Sequence, residues 1–167
     1  MKWRNKIFKN HSTKEFEDLA FEVFRHQLKH CEVYSDYASA LGRTNPRSLA
    51  ELPYLPISFF KSRQIHSNQL NDVEAVFKSS GTQGIRSVHY VSDLGLYRAS
   101  FEWSYRFFIG KPEEQIILAL LPNYLEQGDS SLVYMVDQLI QMSGNENSQF
   151  ILDDMAKIQK IVLDAQQ

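Results

Sequence analysis

The chain has 167 residues, of which 43% are hydrophobic and 23% charged, and its formal net charge is −2. This composition excludes a disordered chain and argues against a general nucleic-acid binder, which would be strongly basic. The single cysteine, Cys31, cannot form an internal disulfide. No apolar run approaches the roughly 18 residues of a membrane span, and the basic start has no apolar core after it, so we expect no signal peptide and a cytoplasmic globular protein.

The first part of the chain, residues 1–66, is predicted to be a helical and extended lead-in. Ser12 followed by Glu15 has the spacing of a capping box, which marks a helix start. One apolar face follows at helical spacing: Phe16, Leu19, Ala20, Val23, Phe24, Leu28 and Cys31. Cys31 is therefore interpreted as a buried core thiol rather than a nucleophile. The two prolines of the segment 52–61 favour an extended course there.

From residue 67 onward the pattern alternates between strands and helices. The predicted strands are Val73–Lys78, Val88–Val91, Ile116–Leu121 and Phe150–Leu152. The predicted helices are Asp93–Ile109, one from Ser130 to near Gly144, and a last helix capped by Asp153 or Asp154 with Ile158, Ile161, Val162 and Ala165 inward. This alternation predicts an α/β fold, a largely parallel sheet with flanking helices. We expect one domain, 1–167, whose α/β unit is 67–167.

The loop from 79 to 87, between two predicted strands, carries the clearest chemical signal. Its glycines let backbone N–H groups approach an anion, its hydroxyls add donors, and its arginine adds positive charge. The candidate phosphate-binding residues are Ser79, Ser80, Gly81, Thr82, Gln83, Gly84 and Arg86. The loop lacks both the Walker ending and the dinucleotide fingerprint. By composition alone, an ordinary Ser/Gly turn explains it equally well.

Other polar residues remain weaker candidates. His26 and His30 have a spacing that can chelate a metal, but without a third ligand they are interpreted as a surface or half-buried pair. His89 either faces the loop or packs beneath it, and Lys61 is interpreted as a surface lysine. Tyr124 and Glu126 follow a predicted buried strand, where open sheets place ligands, although a surface loop is the alternative.

Several motifs together resemble a known family. The run Ser79-Ser80-Gly81-Thr82-Gln83-Gly84 is similar to the phosphate loop of the adenylate-forming superfamily of acyl-CoA synthetases, luciferases and peptide synthetases. The segments 52–61, 87–91, 121–126 and 130–137 are similar in the same order to LuxE-type acyl-protein synthetases and related acyltransferases. The resemblance covers about residues 10–165, and the ordered set is more specific than the loop alone.

The resemblance implies a function and its ligands. It implies that the chain is the N-terminal part of the large domain of an ATP-dependent ligase, which activates a fatty or other carboxylic acid as an acyl-adenylate. The acyl group then passes to a thiol, on the remainder of the chain or on a partner acyl-acceptor protein. The loop would hold ATP, with Mg²⁺ sharing the charge of the phosphates.

The chain also departs from the superfamily pattern. Gln83 replaces the second threonine of the loop. The Pro-Lys pair that follows the last loop glycine in the superfamily is absent, and Arg86 stands nearby as an alternative cation. The later adenine-binding, lid-lysine and acyl-accepting cysteine motifs are absent, so we expect this piece to be inactive alone, with catalytic residues unknown. The alternatives are a non-catalytic nucleotide- or partner-binding module with the same fold, and a plain structural domain.

Overall fold

The computed structural model describes residues 4–9, 11–67, 72–79, 84–121 and 128–165. Seven helices and two strand pairs occur in these ranges. The helices are α1 (Arg4–Ile7), α2 (Thr13–His30), α3 (Glu32–Ala40), α4 (Phe59–Ser62), α5 (Leu94–Phe108), α6 (Ser131–Ser143) and α7 (Met155–Asp164). The strands are β1 (Ala75–Lys78), β2 (Val88–Val91), β3 (Leu118–Ala119) and β4 (Gln149–Phe150). Short 3₁₀ turns cover Leu49–Glu51 and Pro112–Glu114. The chain divides into two compact units, residues 1–97 and 98–167.

The first unit contains the predicted capped helix. The capping box at Ser12 and Glu15 is confirmed, and α2 runs from there to His30. Cys31 lies between α2 and α3, where its side chain is 3% exposed, so the buried thiol is confirmed. Helix α3 was not predicted, because its mixed sequence gives no clear apolar stripe. The core of this unit consists of Phe24, Cys31, Ala38, Leu52, Pro53, Phe77 and Val91.

The strands β1 and β2 form an antiparallel hairpin in which Ala75 pairs with Val91 and Lys78 with Val88. The prediction of a largely parallel sheet is therefore corrected. The first pair is antiparallel, and within the described ranges the parallel sheet has only two strands. The reason is the connection: parallel neighbours require a crossover of about a dozen residues or more, usually a helix, whereas residues 79–87 join β1 to β2 directly.

The second unit contains the strand–helix–strand alternation. The strands β3 and β4 pair in parallel, Leu118 opposite Gln149, and α6 lies between them in the sequence. Ser130 caps α6, and Gly144 ends it in the left-handed conformation with φ 60°. Both boundaries agree with the sequence prediction. The mixed helix-and-strand character of the fold is thus confirmed, in two small sheets.

Three details of the second unit differ from expectation. The predicted strand Ile116–Leu121 is reduced to Leu118–Ala119, and Leu120 is 57% exposed. In α7, Asp154 provides the cap and Ile161 is buried, but Val162 is 45% exposed. The apolar spacing of the predicted helix Asp93–Ile109 puts Phe108 on one face with Leu94, Tyr97, Phe101 and Tyr105, but Phe108 is 77% exposed. It is the last residue of α5, which ends where Ile109 and Gly110 both donate to the carbonyl of Tyr105.

Candidate phosphate-binding loop

The hairpin of β1 and β2 fixes both ends of the candidate loop. Phe77 in β1 is 5% exposed and packs against Tyr97 with ring centroids 5.5 Å apart, which anchors one strand in the core. Val91 in β2 is also buried. The first loop residue, Ser79, donates its N–H to the carbonyl of Ser87 at 3.0 Å, so the ladder continues one step beyond the strands. The loop therefore begins from a fixed base.

Two further hydrogen bonds close the base of the loop. The N–H of Ser87 donates to Oγ of Ser79 at 2.9 Å. The Nε of Arg86 donates to the carbonyl of Ser79 at 2.5 Å. Both the serine hydroxyl and the guanidinium, which sequence reasoning proposed as phosphate contacts, thus lie together at the loop base. Both residues are exposed.

Gly84 adopts a backbone conformation that other residues rarely take. Its φ is 97°, and a Cβ built there would meet nothing within 4 Å. The glycine is therefore needed for its positive φ and not for lack of space. The remaining candidates, Ser80, Gly81, Thr82 and Gln83, lie outside the described residues, as do Tyr124 and Glu126.

A segment distant in sequence packs against β2. Phe60 and His89 make an edge-to-face contact with ring centroids 5.6 Å apart, and burial lowers the pKa of His89. His89 itself is exposed beside Phe60, so the contact confirms neither alternative from the sequence, facing the loop or packing beneath it. Tyr90 accepts a hydrogen bond at its hydroxyl from Nε2 of Gln64 at 3.3 Å and contacts the ring of His66. Lys61, in the same segment, is exposed. Sequence reasoning missed Gln64 and His66, because no local pattern marks such long-range pairs.

The histidine pair of α2 does not form a metal site with the described residues. The rings of His26 and His30 lie 4.4 Å apart between centroids. Burial lowers the pKa of His26, and the neighbouring His30 lowers it further. Among the described residues, no group of three or more histidine, cysteine or carboxylate side chains is placed to hold a metal ion. None of the described helices is long and apolar enough to cross a membrane.

The described residues Ser79, Gly84 and Arg86 thus bring a hydroxyl, a glycine in a left-handed backbone conformation and a guanidinium together at the base of the loop. The family model for acyl-protein synthetase, LuxE, matches residues 6–122, which include the whole loop. The chain therefore belongs to the LuxE acyl-protein synthetase family.

One curated relative supports the same assignment. The long-chain-fatty-acid–luciferin-component ligase of Photorhabdus luminescens is 36% identical over 70 residues, which cover 41% of this chain. The matched stretch spans 60% of the length of that relative. No solved structure matches the chain.

Proposed function

We propose that the chain carries the phosphate-binding part of an ATP-dependent acyl-protein synthetase, as the N-terminal portion of an adenylate-forming domain. The main support is the loop 79–87 itself, which combines glycine, hydroxyl and arginine in a chain of the LuxE family. The name of the Photorhabdus relative supports a long-chain fatty acid as the substrate class.

The described loop residues fit a polyphosphate. The guanidinium of Arg86 supplies positive charge at the loop base, where its bond to the Ser79 carbonyl restricts its position. Ser79 supplies a hydroxyl, and Gly84 a backbone that turns where a side chain would be strained. Hydrogen bonds between charged partners are about twice as strong as neutral ones, so the guanidinium should contribute most to affinity. Mg²⁺, bound with ATP, would share the neutralisation of the phosphates.

The proposed reaction has two steps. The fatty carboxylate attacks the α-phosphorus of ATP, the bond to the β-phosphate oxygen breaks, and pyrophosphate leaves with acyl-adenylate formed. A thiolate then attacks the acyl carbonyl, a thioester forms, and AMP leaves. The loop residues form no covalent bond in either step. Their role is to hold the phosphates in line and to neutralise charge that develops on the leaving pyrophosphate.

Fatty-acid-dependent exchange of labelled pyrophosphate into ATP tests this proposal, using the chain in its longest natural form and a panel of fatty acids. Exchange should fall at least about tenfold in Gly81→Ala and Thr82→Ala, as expected when one such contact is lost. Thr44→Ala, an exposed threonine outside the loop, is the matched control and should retain exchange. If no fatty acid supports exchange, the proposed ATP-dependent synthetase activity is refuted. Binding of ATP without exchange would favour the non-catalytic nucleotide-binding module.

A further inference from the structure

The first unit contains an apolar cavity away from the loop residues. Its volume is about 570 Å³, within the range of small-molecule binding pockets. Helix α2 forms one wall, through residues that include Ala20 and Phe24, and the segment 49–55 forms the other. Phe24 and Leu52 are 6% and 7% exposed, and Pro53 is fully buried, so these three form the deep end.

Two aromatic side chains mark the mouth of this cavity. Phe16 is 55% exposed and Tyr54 is 71% exposed, although both contribute to the lining. Covering these exposed aromatic side chains with an apolar ligand would remove their carbon surface from water, which is favourable. The cavity is therefore a recess open to solvent, with exposed aromatic side chains at its mouth and buried aromatic and aliphatic side chains at its deep end.

Several polar groups of the wall already have partners within the protein. Three such pairs are the Tyr34 hydroxyl with the Pro53 carbonyl at 2.7 Å, the Tyr54 hydroxyl with the Leu49 carbonyl at 3.2 Å, and the Ser67 hydroxyl with Oε1 of Gln27 at 2.5 Å. A ligand is therefore held by the apolar wall and not by these groups. The adjoining polar depression carries Lys6 and Lys9 but also the three carboxylates of Glu15, Asp18 and Glu22, so it does not form an anion site.

We propose that this cavity binds the hydrocarbon chain of a fatty acid. The choice of a fatty acid as the ligand rests on the proposed function. The location of the binding site rests on the cavity itself. Every lining residue, from Ile7 to Leu55, lies within the family match. An unbranched chain suits a wall of this kind, because it offers apolar area and needs no hydrogen-bond partner.

Equilibrium binding of fatty acids in the absence of ATP tests the proposal. Saturated acids of increasing length, kept below their micelle concentrations, are titrated into the protein and compete with a fluorescent fatty acid. Binding should saturate at one acid per chain. Each added methylene should tighten binding about fourfold, the equivalent of about 0.8 kcal/mol, until the cavity is filled.

A cavity-filling variant locates the site. Ala20→Phe places a ring in the recess and should weaken fatty-acid binding at least about tenfold. Ala156→Phe, the same change at an exposed position of α7, is the matched control and should bind as the parent does. Circular dichroism confirms that each variant is folded. A fatty acid with a photoreactive terminal carbon provides an independent readout, because it should label peptides from residues 16–27 and 49–55.

Three outcomes would overturn the cavity assignment: no saturable binding, equal weakening by both variants, or labelling confined to other peptides. Because ATP is absent, these outcomes do not depend on the phosphate loop. If the protein binds fatty acids but not ATP, the proposed function is refuted and the assignment of the cavity is unaffected.

Discussion

Ser12 and Glu15 exchange hydrogen bonds at the start of α2. The N–H of Glu15 donates to Oγ of Ser12 at 3.3 Å, and the N–H of Ser12 donates to Oε2 of Glu15 at 2.8 Å. These bonds satisfy two donors that a helix start otherwise leaves unpaired. The partners are three residues apart, so the motif could be predicted from the sequence alone.

Substitution Ser12→Ala should lower the free energy of unfolding by about 1 kcal/mol, since the side-chain acceptor of the cap is lost. The measurement is urea unfolding followed by circular dichroism. Ser39→Ala, an exposed serine of α3, serves as the control and should change stability by less than about 0.5 kcal/mol. Equal stability of parent and Ser12→Ala would contradict the role of the cap.

The charge of Glu15 makes the same helix start dependent on pH. The hydrogen bond from the Ser12 backbone is the main cause that lowers the pKa of Glu15 below its ordinary value of 4.5. A lowered carboxyl pKa stabilises the folded state above pH 4.5, and this contribution is lost as the pH falls through the folded-state value. Glu15→Gln should therefore be less stable than the parent at pH 7, and the difference should shrink as the pH falls below 4.5, because the carboxylate is progressively protonated. A difference that does not change with pH would contradict this.

Arg86 and His89 show where single-residue prediction reaches its limit. The sequence predicted Arg86 as a cation of the loop, and in the structure its Nε donates a hydrogen bond to the Ser79 carbonyl. His89 could not be placed from the sequence, because its contact with Phe60 joins positions 29 residues apart. The residue type shows that a side chain can donate a hydrogen bond, whereas the direction in which that side chain points depends on contacts with residues distant in sequence.

At the level of elements, helix boundaries were predicted more accurately than strand pairing. Ser130 and Gly144 bound α6 as expected, because caps are local features. The pairing of β1 with β2 depends on the course of the chain between them. A direct connection makes the pair antiparallel, and counting apolar runs cannot reveal this.

Gly144→Ala should lower the free energy of unfolding by about 1 kcal/mol, because the residue has φ 60°, where a Cβ is disfavoured. Gly95→Ala, in the first turns of α5, is the matched control of opposite sign. That change should stabilise the protein by about 0.4–1 kcal/mol, because alanine restricts the unfolded chain. Thermal unfolding of both variants checks the pair. A stabilised Gly144→Ala protein would refute the role of the left-handed cap.

At the level of the whole molecule, the described loop residues and the apolar cavity both belong to the first unit, residues 1–97. The cavity could not be predicted, because α3 and the segment 49–55 have no clear periodicity and meet α2 only through tertiary contacts. The family, in contrast, could be identified, since the short motifs between residues 52 and 137 occur in the same order as in LuxE-type proteins. That comparison requires no knowledge of tertiary contacts. The proposed enzyme thus has its phosphate and acyl-chain contacts in one unit.

Calorimetric titration of Mg-ATP into the protein tests whether the loop 79–87 binds phosphate, since it requires no acid substrate and no acyl acceptor. We expect saturable binding that weakens about tenfold in Arg86→Gln, equivalent to about 1.4 kcal/mol. Arg43→Gln, an exposed arginine in the turn after α3, is the matched control and should bind ATP as the parent does. No heat of binding at nucleotide concentrations on the order of 1 mM would contradict the phosphate-loop assignment.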